Sequence, residues 1–301
     1  MSGPRGTRGS WKVIDRLLGR GEEEDAPRED RAADDKLQTK ERYDEFNRKL
    51  NQLKFGKYAF FLNYGYVAND GPSFSAIEPS PGQFDINSRR LVLEVIGDCQ
   101  LDGRDILDVS CGRGSVCIVL LDHFHPRSYL GIDISTEAVE FCRREHRAEG
   151  YRFAEGDAED LELESSSVDV VINVEASHNY PRIDSFFRET NRVLRPGGWF
   201  LYTDLMPPED FDRHRERLGQ LGLELRREAD ITRNVLLSCE QTAERRLKVY
   251  RDPEERAFMA DFLAAPGSGM YRAFQQGRLC YRLFAFRKHN GAPASGGPSP
   301  D

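Results

Sequence analysis

Between residues 104 and 205 short apolar runs alternate with stretches of helical period, and the first run ends on two glycines, Gly112 and Gly114. This alternation limits the fold more than any other feature of the chain. Strands separated by helix-length segments cannot pair as hairpins. They are joined by crossovers, which build a parallel sheet with helices on both faces. The runs at 105–109, 129–132, 151–154, 168–174 and 199–203 read as strands, and 115–124, 136–149 and 183–194 as the helices between them. The run Val168-Asp-Val-Val-Ile-Asn-Val is rich in β-branched residues and is expected to be the most buried strand. Ser135 suits an N-cap, and the Arg195-Pro-Gly-Gly run is expected to stop the helix before it.

Outside this core the rhythm changes. Residues 37–97 are expected to form a helical, aromatic-rich cap. Tyr43, Phe46, Leu50 and Leu53 recur at helical spacing, an aromatic patch follows at 58–66, then a Pro/Ser/Gly loop and a helix at 87–96. After Asp204 a helix at 211–221, a strand at 223–231, a helical insertion at 235–278 interrupted near Asp252-Pro253, and an alternating strand at 279–287 complete the main domain, 98–288. Residues 1–36 and 289–301 are too polar to offset their ordering entropy and are expected to be disordered, apart from one short helix that Ile14, Leu17 and Leu18 could seed.

The formal net charge of −8 is spread along the chain, and no basic stripe suggests a nucleic-acid surface. Arg143-Arg144 and Arg245-Arg246 lie among acids and read as solvated helix faces. The cysteines at 99, 111, 117, 142, 239 and 280 form no C-x-x-C pair, and no His/Asp/Glu group has metal-ligand spacing, so no metal is expected. The N-terminal stretch has no apolar signal core, and no run approaches the ~20 apolar residues of a bilayer span. A cytoplasmic protein with reduced thiols is therefore expected, with Cys111 and Cys117 as packing residues.

The glycine turn carries chemistry. Glycine permits φ > 0 and close backbone approach to a ligand, and the helix start beyond it presents unpaired N–H groups. Cys117 stands where a dinucleotide fingerprint would have its third glycine, which argues against a pyrophosphate cofactor. Twenty-five residues past Asp108 the second strand ends in Gly-Ile-Asp133-Ile134-Ser, placing a carboxylate where it can accept from two ribose hydroxyls. After the third strand comes Glu155-Gly-Asp157-Ala158-Glu159, where a carboxylate can meet an adenine amino group. The fourth strand runs into Asn173-Val-Glu175-Ala-Ser-His178-Asn179. Together these groups suit S-adenosyl-L-methionine, which has an ammonium, a carboxylate, a ribose and an adenine. Asp108, Ser110, Cys111, Gly112 and Gly114 of the turn are the first cofactor-binding candidates. Asp133, Ile134, Asp157, Ala158, Glu159, Asn173 and Glu175 follow from the later strand ends, and Tyr64 from the cap.

In these windows the sequence resembles the class I methyltransferases. Val-Ser-Cys-Gly at 109–112 and Asn-Val-Glu-Ala-Ser-His at 173–178 are similar to the phthiotriol and phenolphthiotriol dimycocerosate methyltransferases, and to natural-product sugar O-methyltransferases of the rebeccamycin type. The resemblance implies a Rossmann-like α/β fold with a seven-stranded, mostly parallel sheet whose last strand is antiparallel. It implies methyl transfer to a hydrophobic small molecule of natural-product or lipid type, free or carrier-borne, by a monomer or homodimer. It also implies that His178 acts on the acceptor hydroxyl and that Asp204, at the end of the fifth strand, assists. The sugar enzymes carry a second histidine where this chain has Asn179.

The residues support the same assignment on chemical grounds. A sulfonium methyl is already activated, so much of the catalysis is placement, but a hydroxyl acceptor also benefits from a base. An imidazole, with a reference pKa of about 6.5, can serve at neutral pH. Glu175 has three open roles: holding the acceptor, holding the methionine amine, or capping the helix near Ile183. Phe60, Phe61, Tyr64 and Tyr66 are expected in a lid over the site, with Phe61, Tyr66, His178 and Asn179 as acceptor contacts. Leu236, Leu237, Phe258, Phe262 and Tyr271 of the insertion are expected to wall the acceptor pocket. Carbon and nitrogen acceptors remain open, as does a cofactor-binding protein that catalyses no methylation, serving as a structural subunit or caging a cyclisation.

Overall fold

The β-branched run 168–174 lies at the middle of the sheet, as its composition requires. In the computed structural model, which describes residues 28–52, 56–69 and 73–290, strand β4 (Val168–Val174) is flanked on one side by β1 (Asp105–Val109) and on the other by β5 (Leu194–Met206). Strands β2 (Ser128–Asp133), β3 (Tyr151–Glu155), β6 (Leu223–Asp230) and β7 (Cys280–Lys288) complete a seven-stranded sheet of order β3-β2-β1-β4-β5-β7-β6. All pairs are parallel except those of β7, which runs antiparallel to both β5 and β6. One apolar cluster covers each face of the sheet. Between β5 and β7 the rings of Phe200, Tyr202, Phe284 and Phe286 stack on one face and fix their register.

The helices are α1 (Arg28–Gln52), α2 (Ile86–Ile96), α3 (Ser115–His123), α4 (Thr136–Glu145), α5 (Ile183–Val193), α6 (Pro208–Gln220), α7 (Thr232–Leu247), α8 (Pro253–Phe262) and α9 (Gly269–Gln275). Ser135 caps α4, its Oγ accepting from Ala138 N. That helix ends at Glu145, short of the expected 149, because His146 leaves helical geometry and bonds through Nε2 to the carbonyl of Arg113. The Arg195-Pro-Gly-Gly run is not a simple stop: β5 already begins at Leu194 and carries those residues past a register shift opposite Val168–Val170. Residues 28–36, expected in the disordered leader, form the opening turns of α1. Lysines 36 and 40 give the reason, since both are tied to the sheet domain by partners the local composition does not reveal. The short helix expected near Ile14 and most of the tail beyond 289 lie outside the described residues, as does Leu53. The insertion is built from α7, α8 and α9, and a small third cluster joins α7 and α8, with Phe46 of α1 packing on Phe262 at 5.4 Å between ring centres. Among the described residues no helix is long and apolar enough to cross a membrane. All six cysteines are buried free thiols.

Candidate active site

The chain reverses its direction of travel across the sheet between β1 and β4, and this is where an open α/β sheet has its crevice. Both strands end there in a left-handed residue that is not glycine: Ser110 at φ 59° and Glu175 at φ 56°. Each such residue costs on the order of 1 kcal/mol. The two bends direct the Ser110 and Glu175 side chains into a cavity along the carboxyl rim. The cavity encloses about 1320 Å³ with its open mouth included, and follows the ends of β3, β2, β1, β4 and β5. At the usual strand spacing that row is roughly 19 Å long, enough for an extended ligand and an acceptor end to end.

Gly156, Asp157, Ala158 and Glu159 line the first end of the cavity, followed by Asp133 and Ile134, then Ser110, Cys111 and Gly112. Asp133 accepts from Gly112 N and Ser135 N at 2.8 Å each. Burial pushes its carboxyl up, and those two amides oppose the rise. Gly112 lies at φ 54°, and a Cβ added there would project into the cavity, meeting nothing nearer than Leu62 Cδ1 at 3.9 Å. The donor set therefore fits an adenosyl ligand: carboxylates where hydroxyl and amino protons would arrive, and bare backbone where close approach is needed.

Past Ser110 the character changes. Val174, Glu175, Ala176, His178, Asn179, Tyr180 and Leu205 meet Leu62, Tyr64, Phe262 and Met270. His178 Nδ1 lies 2.6 Å from Asp204 Oδ1. The other Asp204 oxygen accepts from Ser177 Oγ at 2.5 Å and from the amide of His178 at 3.0 Å, while Leu205 N donates to Oδ1 at 2.8 Å. Burial would raise the Asp204 carboxyl, but the His178 imidazole, the Ser177 hydroxyl and the Leu205 amide outweigh it and hold the group below its ordinary range. An ionised Asp204 fixes the Nδ1–H tautomer and leaves Nε2 as an acceptor, which takes a hydrogen bond from Asn179 Nδ2 at 3.0 Å. Glu175 Oε2 accepts from Tyr64 N at 3.0 Å and Tyr281 Oη at 2.8 Å. Burial drives its carboxyl up to about 7, against those two hydrogen bonds and the nearby imidazole.

Several expected site residues serve from behind the cavity wall. Asp108 does not reach the cavity: its Oδ2 accepts from Tyr129 Oη at 2.6 Å beneath the turn, and burial raises its carboxyl to about 7. Gly114 faces His146, whose Nε2 would lie 2.5 Å from an added Cβ. Asn173 donates to Val109 O at 2.9 Å and to Tyr180 Oη at 3.0 Å, and Tyr180 in turn holds Ser110 Oγ at 2.5 Å. Phe61 and Tyr66 turn into the core. In the segment 59–64, which belongs to no regular element and bends at Asn63, Phe60, Leu62, Asn63 and Tyr64 line the cavity while Phe61 packs in the core, and Gly65 at φ 78° then redirects the chain. Of the five insertion residues expected to wall the acceptor pocket, only Phe262 does so. Leu236 and Phe258 pack on the main and third clusters, Tyr271 donates to Glu240, and Leu237 is not a lining residue.

The sequence reading missed the contribution of α1. Lys36, Thr39, Tyr43 and Asn47 line the cavity from this helix, and Met270 lines it from α9. Lys36 Nζ contacts Asp157 Oδ2 and Glu159 Oε2 at 2.5 Å each, and Asn179 Nδ2 donates to Tyr43 Oη at 3.3 Å. The one available signal was the polar spacing Lys36, Lys40, Asp44, Arg48, a single side of a helix.

A family model described as a methyltransferase domain matches residues 107–202, from β1 into β5. The fatty-acid O-methyltransferase of Mycolicibacterium smegmatis is 33% identical over 230 residues, covering 76% of this chain and 83% of its own. The phthiotriol/phenolphthiotriol dimycocerosates methyltransferase 1 of Mycobacterium ulcerans is 35% identical over 230 residues, with the same coverage of 76% and 83%. The crystal structure of the [4+2]-cyclase SpnF superposes with a TM-score of 0.67 at 20% identity, covering 85% of this chain and 97% of that one. At that identity the likeness speaks for the fold alone.

Proposed function

Since the chain belongs to the class I S-adenosylmethionine-dependent methyltransferases, we propose that it methylates the hydroxyl oxygen of a neutral, lipid-like acceptor with His178 as general base. The observation that carries this reading is the His178–Asp204 pair, 2.6 Å apart, at the apolar end of the cavity. S-adenosylmethionine supplies an electrophilic sulfonium methyl when bound. Asp133 would hold its ribose, Asp157 its adenine, and Ser110, Gly112 and Glu175 its methionine portion.

The acceptor hydroxyl displaces the Asn179 carboxamide from His178 Nε2 and gives its proton to that nitrogen as the oxygen becomes nucleophilic. Asp204, already accepting from Nδ1–H, stabilises the imidazolium that forms. Leu62, Leu205, Phe262 and Met270 exclude water and take up the apolar body of the acceptor.

The charge of this end favours an alcohol over a carboxylate, although the Mycolicibacterium relative is named for fatty acids. The carboxylate of Asp204, held ionised, stands directly beside the base. The cations that line the cavity, Lys36 and Arg113, are engaged elsewhere: Lys36 by Asp157 and Glu159, Arg113 by neutral oxygens beneath α1.

His178→Ala should lower methyl transfer to a long-chain alcohol by roughly 10²–10⁴-fold, read with radiolabelled co-substrate. Binding of S-adenosylhomocysteine, measured by calorimetry, should stay within about twofold, because the base is not among the proposed cofactor contacts. An unchanged rate removes His178 from the mechanism. Faster methylation of the matching fatty acid than of the alcohol would overturn the neutral-acceptor assignment.

A further inference from the structure

Arg113 stands between the two glycines of the turn and is only 1% exposed. No carboxylate among the described residues lies within ion-pair distance of it; its hydrogen bonds all go to neutral oxygens. Nε donates to Ala59 O at 2.6 Å and Nη2 to Gly56 O at 2.9 Å. Nη1 donates to Asn47 Oδ1 at 3.1 Å and to Asn51 Oδ1 at 3.0 Å. The guanidinium also lies 3.5 Å over the ring of Phe141 on α4, and the backbone carbonyl of Arg113 accepts from His146. Burial lowers the guanidinium to about 10.

A buried cation without a counter-ion is a costly arrangement, and it persists when the surrounding groups are fixed by it. The groups fixed here are two carboxamides of α1 and two carbonyls of the chain that leaves it. No other residue type reaches four acceptors in one plane, because only the guanidinium offers five N–H groups in a rigid fork. The other attachments of α1 are ion pairs and single hydrogen bonds. Lys36 pairs with Asp157 and with the buried Glu159, and Lys40 donates to Ile134 O and Thr136 Oγ1 at 2.8 Å each; the pairs Lys40–Glu155 and Arg48–Glu137 are more exposed and contribute little in water. Asp44 bonds Ser135 Oγ at 2.7 Å.

The position of Arg113 in the chain gives this anchorage a further consequence. Its neighbour Gly112 faces the cavity and donates its amide to Asp133 at 2.8 Å. Gly112 at φ 54° and Gly114 at φ 80° let the backbone turn toward the ligand side while the side chain reaches α1. A ligand seated on the turn therefore acts on the residue that fixes α1, and α1 carries Thr39, Tyr43 and Asn47 of the cavity wall.

We propose that Arg113 is a positioning residue that couples ligand occupancy of the glycine turn to closure of α1 over the cavity. The proposal rests on the reading of this cavity as an adenosyl site, and its test separates the two. Hydrogen exchange of residues 28–52 in the full chain is followed with and without S-adenosylhomocysteine, whose binding is measured independently by calorimetry. In the wild type the ligand should slow exchange in α1 by about tenfold or more. In Arg113→Lys the ligand should still bind, on Asp133 and Asp157, but slow α1 by less than about twofold. A residue with a purely structural role would raise exchange equally in both states and leave the ligand-dependent ratio intact.

Asn51→Ala, outside the cavity wall, removes one acceptor and should give an intermediate ratio, which keeps the test open if Arg113→Lys folds poorly. Asn51→Asp supplies the missing counter-charge and should slow α1 exchange even without ligand. Ligand that binds and slows α1 in Arg113→Lys or Asn51→Ala as much as in the wild type overturns the coupling alone. Failure of the wild type to bind S-adenosylhomocysteine overturns the adenosyl reading, and the coupling with it.

Discussion

Glu175 is the residue in which the conflicting demands of the site are most concentrated. It occupies a left-handed backbone position, it is desolvated, and it accepts from Tyr64 and Tyr281. Its carboxyl is raised from 4.5 to about 7, so between those values the native state holds a proton that the unfolded chain has released. Its contribution to stability is complete below the unfolded value and is lost as pH rises through about 7. Glu175→Gln removes this titration and keeps an oxygen for both donors. The melting temperature of the variant relative to wild type should therefore rise between pH 5 and pH 8, by an amount equivalent to roughly 2 kcal/mol. Asp108, also raised to about 7, titrates in both proteins and cancels from the difference. A difference independent of pH in scanning calorimetry would show that Glu175 is not desolvated as described. His178 and Asp204 present a different case at the same scale. Both were legible as strand-end residues, and the pairing Val174↔Thr203 puts the residues that follow at one level of the rim. The 2.6 Å contact between them needs the short turn at 177–179, which local sequence does not specify.

Among the elements, α1 differs most from its sequence reading. Its apolar spacing identified a helix, but its attachment to the sheet domain is polar: Lys36, Lys40, Asp44 and Arg48 recur every fourth residue and meet Asp157 and Glu159, Glu155, Ser135 and Glu137. Such pairs are screened by salt, since the Debye length falls from about 10 Å at 0.1 M to about 3 Å at 1 M. Raising the salt from 0.1 M to 1 M should speed chymotrypsin cleavage within α1, after Tyr43 or Phe46, several-fold while leaving the unfolding midpoint nearly unchanged. Lys36→Met with Lys40→Met should make cleavage fast at both salt concentrations. Equal salt dependence in the wild type and the double variant would show that other contacts hold the helix. The insertion teaches the complementary lesson. Its helices were predicted, but helical period marks which residues are apolar and not which neighbour they meet. Hence Phe258 and Phe262, one turn apart on the same face, both pack on the third cluster, yet Phe262 alone of the two also lines the cavity.

At the scale of the whole molecule the cavity joins parts far apart in sequence: α1, the segment at 60–64, five strand ends and two helices of the insertion. A ligand that spans them stabilises the native state by mass action, since the unfolded chain has no such site. At a hundred times its dissociation constant, S-adenosylhomocysteine should add about 2.7 kcal/mol of stability, read as a rise in melting temperature. Asp133→Ala should abolish most of that rise at the same ligand concentration, because the variant loses the carboxylate proposed to hold the ribose, which also accepts from Gly112 N at 2.8 Å. A full rise in the variant would remove Asp133 from the cofactor site.

Amino-acid sequence by itself determined the alternation of strands and helices, the central place of the Val168 run, and the row of carboxylates that the strands carry to one rim. These follow from short-range chemistry: β-branched residues favour strands, glycines permit the turn, and a parallel sheet aligns its carboxyl ends. Tertiary structure alone decided which side chains of 59–66 face the cavity, that Asp108 and Asn173 support it from behind, and that α1 lines it and is hydrogen-bonded by Arg113. Regular elements announce their faces by a period of 2 or 3.6 residues. A loop or a polar-faced helix has its orientation set by partners tens of residues away, and no local pattern records them.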